Sequence, residues 1–182
     1  MSWFEGSARV PLLISNPKRF SPKTITENVS TLDILPTLVG LVGGSLDARL
    51  PMDGRSLLPL IDNKCNGFET VLGEYAGEGT IAPTMMMRYG PWKFIVCPAD
   101  PLQLYNLRSD PKELCNLVTS EDDEIREVLE GFVRKSRERW DFDKIHNEVL
   151  HSQRARRLCW SALTRGRFAS WDYQPNDDAG TK

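Results

Sequence analysis

The chain has 182 residues, enough for one domain or a small domain with a tail. Hydrophobic residues make up 40% and charged residues 26%, the balance of a soluble globular protein. A formal net charge of -2 provides no basic surplus for nucleic acid or an anionic membrane surface, and no apolar run approaches the roughly 18 residues that cross a bilayer.

Met1 to Gly6 has neither a basic n-region nor an apolar h-region, so a signal peptide is not expected there. Cys65, Cys97, Cys115 and Cys159 are scattered and form no CxxC pair, which reads as reduced thiols in a cytoplasmic protein. His146 and His151 lie five apart in a polar stretch. That misses the i, i+4 spacing of helical metal ligands, so they read as solvated.

In chain order, Arg9 to Ser15 is a short apolar run closed by Asn16-Pro17 and reads as a buried strand. Lys18 to Asn28 is polar loop. Apolar residues at helical spacing then run to Val42, with a helix expected from Asp33 as N-cap, Pro36 in its first turn and Gly43-Gly44 as its stop. A loop, Leu50 to Arg55, and a short apolar piece, Ser56 to Ile61, follow.

Strand-like segments begin at Thr70. Val71 to Tyr75 is the first; Thr84 to Tyr89 and Trp92 to Val96 flank Gly90-Pro91 as a hairpin; Gln103 to Leu107 is the last. Met85-Met86-Met87 is expected to supply core with one exposed residue. From Ser120 the period becomes helical. Ser120 and Asp123 suggest a capping box, and Ile125, Val128, Leu129, Phe132 and Val133 form one stripe. A second helix is expected from about Asp143 to Leu163, ended by Gly166. Ile145, Val149 and Leu150 are its apolar positions, and Arg154, Arg156 and Arg157 its basic ones, read as a solvated or subunit-facing side.

This order of elements gives an α/β or α+β reading, with α/β the expected fold class: a small antiparallel sheet, two helices and an extended tail. The first strand and helix are too apolar to stand alone, so sheet neighbours are expected upstream of Met1.

Four segments together resemble sulfatases of the alkaline-phosphatase superfamily: Phe4 to Leu12; Asn28 to Leu38, with its Asp33-Ile34-Leu35-Pro36-Thr37; Asp53-Gly54-Arg55-Ser56 to Leu60; and Leu104-Tyr105-Asn106-Leu107 to Glu113 with Asn116-Leu117. They cover about Phe4 to Leu117. Gly73 to Pro83, Cys97 to Pro101, Ser152 to Leu158 and the tail Trp171 to Ala179 narrow the resemblance to choline sulfatases, with Asn176 departing from the large apolar residue expected there. The resemblance implies that residues 1–66 end an incomplete catalytic α/β domain, 67–118 form a small β-rich subdomain, and 119–182 form a helical segment and tail.

Sulfatases of this type use a formylglycine made from Cys or Ser in C/S-x-P-x-R, and that motif is expected to be absent. Cys65 is followed by Asn66-Gly67, Cys97 by Pro98-Ala99, Cys115 by Asn116-Leu117 and Cys159 by Trp160-Ser161. The family's metal-binding aspartates and catalytic histidines have no counterpart, and its lysine would lie just before Met1. No catalytic or metal residue is therefore assigned to this chain, which is expected to be inactive alone. The complete enzyme is expected to need the formylglycine and a divalent metal such as calcium.

A quaternary ammonium donates no N–H hydrogen bond, so aromatic faces and carboxylates must hold it. The candidates for binding choline sulfate are Glu74, Tyr75 and Glu78 in the glycine-rich stretch and Trp171, Asp172, Tyr173 and Asp178 in the tail. The plain alternative is that the acids are solvated and the aromatic residues pack the tail. Glu5 and Arg9 either pair structurally or border a sulfate site. The resemblance further implies a homo-oligomer built through the C-terminal helices and tail, with neither nucleic acid nor membrane as partner. Another sulfatase, a phosphonate monoester hydrolase and a non-catalytic assembly module are the competing readings.

Overall fold

The computed structural model describes residues 2–45, 52–66, 70–77 and 79–165. The chain divides into two units, Met1–Phe142 and Asp143–Lys182. The first unit is built on four antiparallel strands, β1 (Thr70–Tyr75), β2 (Thr84–Tyr89), β3 (Trp92–Cys97) and β4 (Asp100–Asn106), in sequential order. The expected hairpin lies at β2–β3, where Gly90 has φ +52. A single sheet of this kind has two faces, and both are covered here.

Leu72, Met87, Phe94 and Leu104 are cross-strand partners and so share one face. Helix α4 (Asp123–Arg139) covers it: Phe132 stacks on Phe94 with ring centroids 5.5 Å apart, and Lys135 lies over the Tyr89 ring. The expected stripe of α4 faces this sheet and continues through buried Ser136 to buried Trp140. The helix cap is Asp122, whose Oδ1 accepts from Glu124 N and Ile125 N, and Ser120 instead caps the turn before it by accepting from Asp122 N. The Asp122 carboxylate, one residue before the first turn, reaches two free N–H groups at once and takes the place of the expected Ser120–Asp123 box.

The opposite face carries Met86, Ile95 and Tyr105, packed by Trp3 and Leu107. Trp3 Nε1 donates to Thr84 O at 3.0 Å, and its ring lies so close to Gly73 that a Cβ there would sit 2.6 Å from it. Because both faces are covered, Met85, Met86 and Met87 are all buried, where one exposed methionine was expected.

Helix α1 (Glu5–Ala8) lies on that second face through a buried ammonium. Lys93, 1% exposed, meets Glu5 Oε1 at 2.6 Å and Glu113 Oε1 at 2.8 Å, and donates to Trp3 O at 2.8 Å. Glu113 Oε2 accepts from Glu5 N at 2.6 Å. Glu113 has φ +56, an uncommon conformation for a side chain with a Cβ, held here by these two carboxylate contacts.

The Arg9 to Ser15 run is not a strand. Among the described residues no backbone hydrogen bond joins Val10–Ser15 to another segment, and Leu13 is 90% exposed. The run has strand-forming residues, but a strand is a pairing, and no described residue pairs with it. The following helix forms as expected, a short 3-10 turn (Thr31–Asp33) leading into α2 (Ile34–Leu41). Asp33 stands at the N-cap position of α2, as expected, but its side chain makes no cap hydrogen bond to that helix; it is instead the acidic partner in the capping box of the 3-10 turn, where Ser30 Oγ accepts from Leu32 N and Ser30 N donates to Asp33 Oδ2 at 2.8 Å. Asp33 Oδ1 accepts from Arg55 N, and Thr37 Oγ1 accepts from Leu57 N, so α2 holds the loop that leads into α3 (Leu58–Ile61). Gly54 lies against the Leu32 carbonyl, where no Cβ would fit.

Helix α5 (Phe142–Arg165) has no buried residue, and Arg154, Arg156, Arg157, His146 and His151 are exposed on it. Gly166, the expected stop, lies outside the described residues.

Lys93→Met should destabilise the chain by about 3–5 kcal/mol, because the Glu113 carboxylate would stay buried without its counter-charge. Urea unfolding followed by circular dichroism measures this.

Candidate functional site

Glu74 sits near the end of β1, on the α4 side of the sheet. Its Oε1 accepts from Trp140 Nε1 at 2.7 Å and lies 3.8 Å from Arg139 Nη2, which is in turn 3.7 Å from Asp53 Oδ1. The Glu74 side chain remains 51% exposed. This corner therefore holds a half-exposed carboxylate that is oriented by the N–H of a buried indole, 4% exposed, and has a guanidinium beside it. A carboxylate is one of the groups that attract a cation lacking N–H donors, and the buried ring offers such a cation no open face. Trp140 and Arg139 were not among the sequence candidates. The signal for Trp140 was its place in the α4 stripe, eight residues after Phe132.

Tyr75 follows Glu74 directly on the strand, so the alternation of side chains sends it to the opposite face. Its ring packs over Gly77, where an added Cβ would meet it at 3.1 Å. The structure thus does not bring Glu74 and Tyr75 together. Glu78, Trp171, Asp172, Tyr173 and Asp178 lie outside the described residues.

Glu5 takes the structural role: it pairs with Lys93. Near it, Arg88 Nε donates to Asn28 Oδ1 at 3.2 Å, and the buried Arg88 Nη1 has no partner among the described residues. Burial holds the Arg88 pKa below its ordinary value; Glu5 and Glu113 oppose that shift and Arg9 adds to it. Burial, followed by the charges of Glu113 and Asp110, raises the Tyr105 phenol. All four cysteines are free thiols.

The sequence requires one correction to the expected lack of a nucleophile motif. Ser15-Asn16-Pro17-Lys18-Arg19 satisfies the serine form, S-x-P-x-R. The segment is exposed, and its turn is closed by Arg19 N and Phe20 N donating to Asn16 O. Among the described residues no group of three His, Cys, Asp or Glu side chains could hold a metal ion, so a formylglycine at Ser15 would have no metal held beside it by these residues. No described helix is long and apolar enough to cross a membrane.

Trp140→Phe keeps the ring and removes the donor to Glu74. It should lower the unfolding free energy by about 1 kcal/mol, a charge-assisted hydrogen bond discounted for the exposure of Glu74. Urea titration of the variant checks this.

Comparison with known proteins gives the lineage. Residues 2–139 match the family described as N-sulphoglucosamine sulphohydrolase, C-terminal, and residues 147–182 match Choline sulfatase enzyme C terminal. The choline-sulfatase of Rhizobium meliloti (strain 1021) is 39% identical over 184 residues, covering 100% of this chain and 36% of the relative. Arylsulfatase K of Danio rerio is 33% identical over 169 residues, covering 88% of this chain and 31% of the relative. A crystal structure of the phosphonate monoester hydrolase of Agrobacterium radiobacter aligns with a TM-score of 0.48 and 23% identity over 61% of this chain and 24% of that one. The chain spans about a third of the length of the curated relatives it matches. With a sulfatase C-terminal family over most of its residues, the chain belongs to the sulfatases, and its end is similar to the C terminus of choline sulfatases.

Proposed function

We propose that this chain serves as the C-terminal part of a sulfuric ester hydrolase that turns choline sulfate and water into choline and sulfate. One observation carries the reading: the match to Choline sulfatase enzyme C terminal covers residues 147–182, acidic-aromatic tail included, beside an identity with the choline-sulfatase that spans the whole chain. In this reading the catalytic portion supplies the formylglycine and the divalent metal. This chain supplies head-group contacts, with Glu74 and Glu78 from the glycine-rich stretch and Asp172 and Asp178 from the tail as carboxylates. Tyr75, Trp171 and Tyr173 are the aromatic candidates. Trp140 holds the Glu74 carboxylate in place. The helix α5 and the tail serve subunit contacts.

The pure chain should release no sulfate from choline sulfate with divalent metal added, as ion chromatography would measure. Metal-dependent release that disappears in Ser15→Ala would instead assign the nucleophile to Ser15 and overturn the division of labour.

In an enzyme joining this chain to the catalytic portion of the Rhizobium meliloti choline-sulfatase, Asp178→Asn keeps the size and removes the charge. A partly desolvated carboxylate–cation contact is worth about 1–3 kcal/mol, so kcat/KM for choline sulfate should fall roughly tenfold or more. Hydrolysis of a neutral aryl sulfate should barely change. Equal loss on both substrates would make Asp178 structural.

A further inference from the structure

We infer that Arg139 sets the head-group selectivity of the Glu74 site, as a resident counter-ion that an incoming quaternary ammonium pushes from Glu74 toward Asp53; the inference rests on the head-group role proposed above for Glu74. Two kinds of contact meet at this carboxylate, and they differ in strength. The Trp140 indole donates to Glu74 Oε1 at 2.7 Å, from a residue that is 4% exposed. That bond is short, charge-assisted and made by a buried donor, so it fixes where the carboxylate stands. The guanidinium is held loosely. Its Nη2 lies 3.8 Å from Glu74 Oε1 and 3.7 Å from Asp53 Oδ1, both beyond the length of an N–H···O hydrogen bond.

One nitrogen is therefore shared between two carboxylates and committed to neither. All three side chains reach water: Glu74 is 51% exposed, Arg139 47% and Asp53 77%. In that setting an ion pair is weak, and exchanging one partner for the other costs little. Arg139 is also the last residue of α4, where the carbonyl end of the helix favours positive charge whichever carboxylate the guanidinium faces.

Two carboxylates and one guanidinium leave one negative charge over, which a monocation balances. A compact ammonium or an inorganic cation is strongly hydrated and must shed water to take the place of the guanidinium. A quaternary ammonium has no N–H to hydrate and meets the carboxylate by charge alone. Arg139 thus admits the weakly hydrated cation and turns away the strongly hydrated one, and Asp53 receives the displaced guanidinium. Without Arg139, Glu74 is open to any cation. Without Asp53, the guanidinium stays on Glu74 and blocks it.

The test uses the enzyme that joins this chain to the catalytic portion of the Rhizobium meliloti choline-sulfatase, with KM for choline sulfate read as a ratio to KM for a neutral aryl sulfate. Arg139→Gln should lower that ratio about two- to fivefold, the size of one exposed ion pair, and Asp53→Asn should raise it by a similar factor. Glu74→Gln should raise it further than Asp53→Asn does, and adding Arg139→Gln to Glu74→Gln should change nothing more. A merely structural role would move the Arg139 and Asp53 variants in the same direction. Ratios that shift together in those two variants, or stay put, overturn the inference, while a raised ratio in Glu74→Gln keeps the Glu74 reading. An unmoved ratio in Glu74→Gln overturns both. A joined enzyme that does not hydrolyse choline sulfate refutes the substrate reading, and the counter-ion is then read on this chain itself. The indole N–H resonance of Trp140, assigned with Trp140→Phe, is followed by NMR as tetramethylammonium chloride is added, against sodium chloride at equal ionic strength. It should respond at a lower concentration of tetramethylammonium than of sodium, with the midpoint falling in Arg139→Gln and rising in Asp53→Asn. Equal response to the two salts, or midpoints that move together, overturns the inference.

Discussion

The Lys93 ammonium is the charge on which the first unit is organised. It projects from the second residue of β3, on the face away from α4, where a lysine would ordinarily be the wrong residue. Removing an ammonium from water costs several kcal/mol, and only close counter-charges and hydrogen bonds offset that. Here the compensation comes from three places far apart in sequence: Glu5, Glu113 and the Trp3 carbonyl. Their geometry fixes the N-terminal segment on the sheet and fixes the loop after β4 in an otherwise unfavourable backbone conformation. Apolar residues could fill the same space, but they would not specify which segment lies there or in what register.

The clamp also explains the composition of the sheet. A small antiparallel sheet usually keeps one wet face and an alternating sequence. In β2 and β3 the alternation is lost: Met85 to Met87 and Lys93 to Cys97 are all buried, because α4 covers one side and the clamped segment the other. The accessible chemistry is thereby pushed to the ends of strands. Glu74, one residue from the end of β1, keeps half of its side chain in water while Trp140 and Arg139 orient it.

The strands were legible because turn residues bracket them, and α4 was legible because its stripe is long. Three features were not. The Arg9–Ser15 run carries strand residues, but a strand is a pairing, and pairing depends on a neighbour the run itself does not encode. The role of the Asp33 side chain as box partner rather than cap depended on Ser30, three residues earlier, and on the distant Arg55 amide. The burial of all three methionines depended on a helix some 40 positions later and on a tryptophan some 80 earlier. For the site, neighbouring positions such as Glu74 and Tyr75 look like one cluster in sequence, yet strand alternation separates them. The reverse holds for Glu74 and Trp140, which are remote in sequence and bonded in space.

The segments that carry the family resemblance turn out to be joined in pairs. The first and the fourth meet where Glu113 accepts from Glu5 N and shares Lys93 with the Glu5 carboxylate. The second and the third meet where Asp33 holds Arg55 N, Thr37 holds Leu57 N, and Gly54 yields space to Leu32. Within the fourth, Asn116 accepts from Leu104 N and donates to Leu102 O, closing the loop after β4. Apart from Gly54, which leaves room where a Cβ would clash, each of these signature residues satisfies a backbone group or a buried charge, and such duties tolerate few side chains because an unmet buried polar group is costly. A sulfatase C-terminal region is thus recognisable by its latches. Those latches hold the sheet and its loops, while the apolar side of α2 is left turned outward.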